Sequence, residues 1–273
     1  MSDLMRIYTN VQAMQSMNSL SVINNKIGMH QLRLATGKRI NSASEDPAGY
    51  QLAKSLETRR RGLSAALQNV SQAKNVMNVA EGGYQNIMDI LQTIKEKATQ
   101  ASDYSLSSTQ RSSIDDQVTA LITEIDDIVS ETTFNGDSLI DGGYSGAFHT
   151  GEGASDELLI SLGNGDSTAL SIDTINLSTA NGASTAITLA NDAIDTLASR
   201  IQEVGQYKVR LGTKERTLSV AVTNAEATRS VIEDADFAQE QMEVLKLQIL
   251  QQTAVSSLSQ ANSAPQVVLS LFK

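Results

Sequence analysis

Apolar side chains return every seven residues through the first half of the chain and predict one stripe along a helix. The stripe contains Leu56, Leu63, Val70, Met77, Tyr84, Leu91 and Ala98. Asp46 can cap this helix, and Pro47 suits its first position, where a missing N–H costs nothing. At ~1.5 Å per residue the helix would be about 65 Å long, which favours a rod over a small globule. Because the heptads continue through Gly82 and Gly83, we predict that the helix does not break there. We expect it to be locally flexible at this point or to be approached closely by another element.

Two further heptad runs predict two more helices. The first contains Ile114, Val118, Leu121, Ile125 and Ile128. The second contains Ile194, Leu197, Ile201, Val204, Leu211, Leu218 and Val222. A Ser-rich segment over residues 103–109 precedes the first run and predicts a turn between antiparallel helices. Lys208, Glu215 and Arg229 fall on the stripe of the second run, where charges either mark a partly exposed seam or fix the register of packing.

The composition changes in the middle of the chain. Gly, Ser, Thr, Asn and Asp dominate from Phe134 to about Thr185, and Asn135-Gly136 predicts a turn. Residues 147–150 and 158–162 have the pattern of short strands around a Gly-rich turn. We predict a small β-hairpin region and a surface loop, because a segment of about 50 residues holds little core of its own.

Both ends of the chain are predicted to form amphipathic helices. Near the N-terminus the apolar face contains Leu20, Ile23, Ile27 and Leu34. Near the C-terminus it contains Val244, Leu247, Leu250, Ala254, Leu258 and Ala261. The two helices could cover each other as an antiparallel pair, but a slender pair still leaves apolar surface that neighbouring copies could bury. The pattern therefore indicates self-assembly.

These elements predict a mainly α fold, with a long helical rod, an antiparallel coiled-coil terminal domain and a small β-hairpin region. The two parts of the terminal domain are expected at residues 1–44 and 237–273. The rod is expected to contain N-terminal helices over residues 45–133 and a C-terminal helix over residues 186–236. Between them, residues 134–185 would form the hairpin and a short exposed variable region.

Charge and composition exclude several classes of protein. The net charge of −10 disfavours nonspecific binding to nucleic acid or to anionic lipid. The chain has no cysteine, so disulfides, thiol nucleophiles and cysteine-based metal sites are excluded. The first 25 residues lack the apolar region of a secretory signal peptide, and no apolar run approaches the ~18 residues that span a bilayer. We therefore expect a protein without membrane insertion that, if exported, uses another route.

The sequence gives little support for catalysis. His30 and His149 are the only histidines, and no HExxH pattern accompanies either, so we expect both at a surface or an interface. The acidic pairs Asp115-Asp116 and Asp126-Asp127 are typical of solvated helix faces rather than of a carboxylate dyad. The basic run at residues 59–61 is typical of a solvated or salt-bridged face. We predict no enzyme activity, no metal site and no cofactor.

Several motifs at both ends give the chain a family resemblance. They include Arg33-Leu34-Ala35-Thr36-Gly37-Lys38-Arg39-Ile40-Asn41-Ser42-Ala43, Asp46-Pro47-Ala48-Gly49, Ala80-Glu81-Gly82, Phe134-Asn135-Gly136, Ile232-Glu233-Asp234-Ala235-Asp236-Phe237, Gln248-Ile249-Leu250-Gln251-Gln252 and Pro265-Gln266-Val267-Val268-Leu269-Ser270-Leu271. Any single motif would be weak, but the ordered set over residues 5–150 and 190–273 resembles the bacterial flagellins.

The resemblance implies a subunit that polymerises into the flagellar filament for swimming motility and is exported through the flagellar type III channel. It implies four kinds of partner, namely further copies of the chain, an export chaperone at the C-terminal helix, the filament cap and the hook–filament junction proteins. The expected polymerisation interface contains Leu20, Ile23, Ile27, Leu34, Val244, Leu247, Leu250, Leu258 and Leu271. The expected localisation is the extracellular filament. Family sequences commonly begin near Met5, so the residues before it receive no role.

Two other functions compete with this interpretation. A hook–filament junction protein shares weaker motifs at its ends, and residues 262–271 favour the filament subunit over it. A helical binding module, such as a secreted adhesin or a scaffold, would use the heptads but would not need two apolar ends. Formation of long filaments from the purified chain alone distinguishes a filament subunit from a junction protein. Loss of polymerisation on deletion of residues 240–273 distinguishes it from a helical binding module.

Overall fold

The computed structural model describes the backbone of residues 9–270 and the side chains of residues 9–263. It contains the helices α1 (Val11–Thr36), α2 (Pro47–Ala101), α3 (Ser108–Glu131), α4 (Ala180–Glu233) and α5 (Phe237–Ser270), and the strands β1 (Thr133–Phe134), β2 (Asp137–Ser138), β3 (Ser145–His149) and β4 (Glu157–Ser161). The strands form two antiparallel hairpins, β1–β2 and β3–β4. The predicted mainly α fold with a small hairpin region is confirmed.

The chain divides into two compact units. The terminal unit combines the two ends of the chain, up to Thr58 and from Asn224 onward. The middle unit is the continuous segment Arg59–Thr223. The unit boundaries therefore fall inside α2 and α4, whereas the sequence predicts its boundaries in the connections at the ends of these helices.

Side chains at the helix ends explain where α2 and α3 begin. The Oδ1 atom of Asp46 accepts the N–H of Gly49 at 2.9 Å, which confirms Asp46 as the cap of α2. Ser107 and Gln110 form a reciprocal capping box at the start of α3. Arg111 donates to the carbonyl oxygen of Ala101 at 2.9 Å and so ties the turn back to the end of α2.

One hydrophobic core fills the middle unit. Among the predicted heptad positions, the buried ones are Leu63, Val70, Met77, Tyr84, Leu91, Ala98, Ile114, Val118, Ile125, Leu197, Val204, Leu211 and Leu218. Those that are partly buried against this core are Leu121, Ile128, Ile194, Ile201 and Val222. Leu56 is partly buried and belongs to the terminal unit. The three heptad stripes thus place their apolar side chains where a shared core needs them.

The double glycine of α2 lies at a close approach between elements. A Cβ atom on Gly83 would lie 2.7 Å from Oγ1 of Thr132 and 3.0 Å from Cδ1 of Ile140, whereas nothing lies within 4 Å of one on Gly82. The helix continues without a break, as the heptads predict. Gly83 is therefore the residue that lets the chain after α3 approach α2.

The central segment, residues 134–185, does not form only a surface loop, because part of it packs into the core of the middle unit. Its β1–β2 turn has φ of 53° at Asn135 and 93° at Gly136, which fits the predicted Asn-Gly turn. Several of its apolar side chains enter the core of the middle unit, namely Leu139, Ile140, Leu158, Ile160, Leu162, Leu170, Ile172 and Leu177. In β4 the burial alternates, because successive side chains of a strand point to opposite faces. The segment is therefore a fourth contributor to the core, besides α2, α3 and α4, and it also forms part of the surface.

Two acidic residues of α3 hold this segment in place. Oδ1 of Asp126 accepts the N–H of Ser167 at 2.8 Å, and its Oδ2 accepts the hydroxyl of Ser167 at 2.8 Å. Oδ1 of Asp115 accepts the N–H of Leu177 at 2.6 Å. The prediction that both acidic pairs are only solvated is therefore wrong for these two residues. Each carboxylate accepts a hydrogen bond from a backbone N–H of the central segment.

Two ion pairs link α2 and α4 within the middle unit. Lys74 Nζ lies 2.7 Å from Glu215, and Lys208 Nζ lies 2.5 Å from Glu81. All four side chains are partly exposed, so each pair contributes about 1 kcal/mol or less. Because both pairs join α2 to α4, they help to set the register in which these helices pack. This is one of the two roles predicted for the charges on the second stripe.

Candidate assembly interface

Helices α1 and α5 form an antiparallel pair in the terminal unit. The side-chain amide of Asn10 donates to the carbonyl oxygen of Ala261 at 2.8 Å, at the start of α1 and late in α5. The amide of Gln251 donates to Asn24 at 2.7 Å near the middle of the pair. Asn10 also caps α1, since its Oδ1 accepts the N–H of Ala13 at 3.0 Å.

The connections at the end of α1 and at the start of α5 pair with each other. Gly37 ends α1 in the left-handed region, with φ of 72°, and its N–H bonds the carbonyl of Arg33. The N–H of Arg39 then donates to the carbonyl of Glu233 at 2.6 Å, and the N–H of Ala235 donates to the carbonyl of Gly37 at 2.9 Å. This short antiparallel bridge fixes the register of the two helices.

Most of the predicted interface residues lie in the seam between α1 and α5. Ile27, Val244 and Leu247 are buried there within one chain. The partly buried members of the set are Leu20, Ile23, Leu34 and Leu258. Leu250 stays 43% exposed, and Leu271 lies outside the described residues. Whether these positions take part in assembly stays a prediction, but the structure gives most of them a first role inside the subunit.

A second set of apolar side chains on the same two helices remains exposed. On α5, Met242, Leu245 and Ile249 are 64%, 55% and 65% exposed and lie roughly half a turn around the helix from the seam. Similarly exposed apolar side chains lie elsewhere on the two helices, and the whole set is called the outer apolar surface: Met14, Met17, Val22, Leu32, Phe237, Met242, Leu245, Ile249, Leu250 and Val255. Apart from Leu250, none of these positions was predicted from the sequence, although the steps of three and four from Met242 to Ile249 indicate a second stripe.

A buried polar cluster lies at one end of the seam. The carboxylate of Glu240 contacts the Nδ1 atom of His30 and lies 3.4 Å from Arg33. Arg33 also pairs with Glu45 at 3.2 Å, while its Nε atom is buried without a hydrogen-bond partner. His30 thus lies at a helix–helix interface, one of the two places expected for it. The cluster demands one register, because a shift would leave a buried carboxylate unpaired.

A second cluster surrounds Glu233 at the end of α4. Its carboxylate accepts from Lys38 at 2.6 Å and from Arg229 at 2.6 Å, and Arg229 also bonds Glu226. Burial raises the pKa of Glu233, but the hydrogen bonds from the two cations outweigh it and hold that pKa below its usual value. Hydrogen bonds from Glu226 and Glu233 raise the pKa of Arg229 further, so this guanidinium remains charged.

Metal-ligating side chains do not cluster in the described part of the chain. Over residues 9–263, no three His, Cys, Asp or Glu side chains come close enough to hold a metal ion. Tyr84 is fully buried and donates to the carbonyl of Gly163 at 2.5 Å. Burial raises its pKa to about 12, so the hydroxyl stays protonated and serves packing. His149 lies on β3. No helix in the described part of the chain is long and apolar enough to cross a membrane.

The geometry defines a class of protein, a helical structural subunit whose terminal helices leave many apolar side chains exposed. Residues 7–145 match the bacterial flagellin N-terminal helical region, and residues 187–272 match the bacterial flagellin C-terminal helical region. The chain belongs to the bacterial flagellins, the structural subunits of the flagellar filament. The predicted family and function are confirmed, and the junction-protein alternative is not favoured.

Relatives match this chain over almost its whole length. A flagellin of Listeria monocytogenes is 32% identical over 98% of this chain and 99% of the relative. Flagellin FlaB1 of Treponema pallidum is 29% identical over 98% of this chain and 100% of the relative. A putative flagellar hook-associated protein from Vibrio parahaemolyticus covers 69% of this chain and 99% of its own, with a TM-score of 0.56 and 12% identity. That last likeness concerns the fold alone.

Proposed function

We propose that this flagellin polymerises through the outer apolar surface of its terminal unit, and that the resulting filament serves swimming motility. The observation that carries the proposal is the exposure of Met242, Leu245 and Ile249 on the face of α5 opposite the seam. Clusters of exposed apolar side chains on one helix face, such as these three, are typical of protein–protein contacts. A second copy of the chain is the partner that every subunit in a filament meets.

The seam and the outer surface have different roles in this mechanism. The seam residues, including Ile27 and Leu247, hold α1 and α5 together and so position the outer surface. The outer residues then lose their contact with water when a neighbouring subunit covers them, which stabilises the polymer by about 25 cal/mol per Å² of apolar area. A lone charge on the outer surface would oppose this burial without disturbing the seam.

The test is a charge placed on the outer surface. Ile249→Asp is expected to abolish polymerisation while the helical circular dichroism of the monomer stays near that of the parent chain. Tyr104→Asp is the matched control, since Tyr104 is a large side chain that is 92% exposed in the turn of the middle unit. Polymer is measured by sedimentation and electron microscopy. Normal polymerisation of the Ile249→Asp chain would reject the outer apolar surface as the interface.

The seam gives a contrasting variant. Ile27→Asp places a charge at a buried position, so it should weaken the α1–α5 pair in the monomer as well as assembly. The two aspartate variants therefore differ in monomer helicity although both fail to polymerise. Equal monomer helicity in the two variants would contradict the division into seam and outer surface.

We propose that the outer apolar surface also contacts partners other than further copies of the chain. Before assembly the outer apolar surface of α5 needs a cover, and we propose an export chaperone for that role, with the filament cap and the hook–filament junction proteins meeting the filament at its two ends. We also propose a structural role without catalysis and an extracellular location in the filament. Ile249→Asp should weaken binding to the purified chaperone, measured by titration calorimetry, whereas Tyr104→Asp should leave it unchanged.

A further inference from the structure

The composition makes methionine the side chain of this chain that peroxide oxidises most readily. The chain contains no cysteine and no tryptophan, and it contains eight methionines. A methionine thioether reacts with peroxide to give a sulfoxide, which turns a flexible apolar side chain into a polar one. Oxidative damage or control is therefore expected to concentrate on methionines, and their positions decide its effect.

The strongly exposed methionines of the described residues all lie on the outer apolar surface. Met14, Met17 and Met242 are 63%, 61% and 64% exposed. In contrast, Met77 is fully buried in the core of the middle unit, and Met29 and Met88 are partly buried. Met14 and Met17 lie near the end of the pair where Asn10 meets Ala261, and Met242 follows Glu240 near the other end. Accessible thioethers thus lie toward both ends of the helix pair.

We propose that Met14, Met17 and Met242 form an oxidation site through which peroxide blocks assembly of the free subunit. This inference rests on the proposed function, because it needs the outer apolar surface to be buried between subunits. In the reaction each sulfur gives two electrons to one peroxide molecule. The O–O bond breaks, one oxygen forms the S–O bond of the sulfoxide, and the other leaves as water.

The chemistry of the sulfoxide explains the block. Its oxygen is a strong acceptor, and burying it against apolar side chains such as Leu245 would leave it without a donor. Subunits already in a filament have these side chains covered, so the free subunit is the sensitive form. Methionine sulfoxide reductases reverse the change, one enzyme for each epimer, so the block is reversible.

The experiment compares the purified parent chain with the triple variant Met14→Leu, Met17→Leu, Met242→Leu. Each chain is treated with hydrogen peroxide as monomer, freed of peroxide and seeded, and its sedimentable polymer is divided by that of its own untreated sample. Peptide mapping by mass spectrometry follows the oxygen on each methionine. The parent chain should lose most of its polymer with oxygen on the three exposed methionines and not on Met77, while the triple variant should keep most of its own untreated yield.

Two further arms make the outcome decisive. Treatment of the oxidised parent chain with both classes of methionine sulfoxide reductase should restore polymer as the three sulfoxides disappear. If the leucine substitutions themselves lower the polymer yield of the triple variant, this restoration is the deciding result. Oxidation of the three methionines without loss of polymer, or an equal loss in the triple variant, would overturn the oxidation site. Failure of the untreated parent chain to polymerise would instead reject the proposed function, and this inference with it.

Discussion

The middle unit and the terminal unit are both built from amphipathic helices, and they differ in where their apolar side chains lie. In the middle unit the stripes of three helices and the central segment meet in one core, and Val70, Tyr84 and Leu91 have no exposed surface. In the terminal unit only a few apolar side chains are buried, while those of the outer apolar surface face solvent. The middle unit thus buries most of its apolar stripes within one chain, whereas the terminal unit leaves many of its apolar side chains exposed.

The number of elements around each core explains this difference. A helix with apolar residues on one stripe needs cover on one side only, and the middle unit supplies that cover from several elements. Helix α5 has apolar residues on two opposite faces, Val244 and Leu247 on one and Leu245 and Ile249 on the other. Its single partner α1 covers the first face. The second face therefore stays exposed to solvent in the described part of the chain.

The largest expected effect is the difference in unfolding free energy between truncating a core side chain of the middle unit and truncating an exposed side chain of the terminal unit. Leu91→Ala removes a side chain with no exposed surface and should lower the free energy of unfolding by about 2–5 kcal/mol, because a cavity remains. Ile249→Ala should change the monomer by no more than about 0.5 kcal/mol while it reduces polymer. Urea unfolding of the monomer gives both values. A loss at Ile249 as large as at Leu91 would mean that the monomer already buries this side chain.

The next effect tests how tightly the middle unit is closed. Gly83→Ala should destabilise the monomer by about 1–3 kcal/mol, because its Cβ would lie 2.7 Å from Thr132 and 3.0 Å from Ile140. Gly82→Ala is the matched control and should stabilise it by about 0.5–1 kcal/mol, since alanine favours a helix and nothing lies within 4 Å. Thermal and urea unfolding measure both variants. Stabilisation by both substitutions would show that α2 can move away from Thr132.

The sequence predicts those features of the fold that repeat along one chain segment. The heptads, the cap at Asp46 and the Asn135-Gly136 turn all depend on residues within a few positions of each other, and the structure contains them. The contacts of Asp115 and Asp126 join residues 62 and 41 positions apart, so no local pattern reveals them. Their role required the path of the central segment.

The outer apolar surface was not predicted from the sequence for another reason. A search for one apolar stripe finds the strongest stripe first, and in α1 and α5 that is the seam. The residues predicted for the interface therefore proved mostly to be those that join the two helices, such as Ile27 and Val244. A helix with two apolar faces has a weak overall amphipathic signal, because its faces cancel. Searching each helix for a second stripe would have found Met242, Leu245 and Ile249.

A smaller effect is expected at the anchor of the central segment. Asp126→Ala removes the acceptor for both the N–H and the hydroxyl of the buried Ser167, which should lower the free energy of unfolding by about 1–2 kcal/mol. Asp127→Ala, at the next and exposed position of α3, should lie within about 0.5 kcal/mol of the parent chain. Hydrogen exchange at the Ser167 amide adds a local measurement. Unchanged exchange in the Asp126→Ala chain would assign the anchoring to the apolar contacts alone.

The smallest expected effect concerns acid and the terminal unit. The pKa of Glu233 is lowered in the folded chain because Lys38 and Arg229 donate to its carboxylate, although burial acts in the opposite direction. A carboxyl group with a lowered folded pKa contributes stability above its usual pKa of 4.5, and this contribution is lost as the pH falls below that value. Glu233→Gln should therefore remove part of the acid dependence of unfolding, on the order of 1 kcal/mol or less, since Lys38 is partly exposed.

The amide of Arg39 makes this effect local and measurable. Its N–H donates to the carbonyl of Glu233, so its hydrogen exchange reports opening of the bridge between the two connections of the terminal unit. Protection of this amide should fall with pH below 4.5 in the parent chain and change less with pH in the Glu233→Gln chain. Glu243→Gln, whose partner Lys246 is largely exposed, should keep the parent's pH dependence. If both variants follow the parent, the buried ion pair at Glu233 does not hold the terminal unit together, and the apolar seam carries its stability alone.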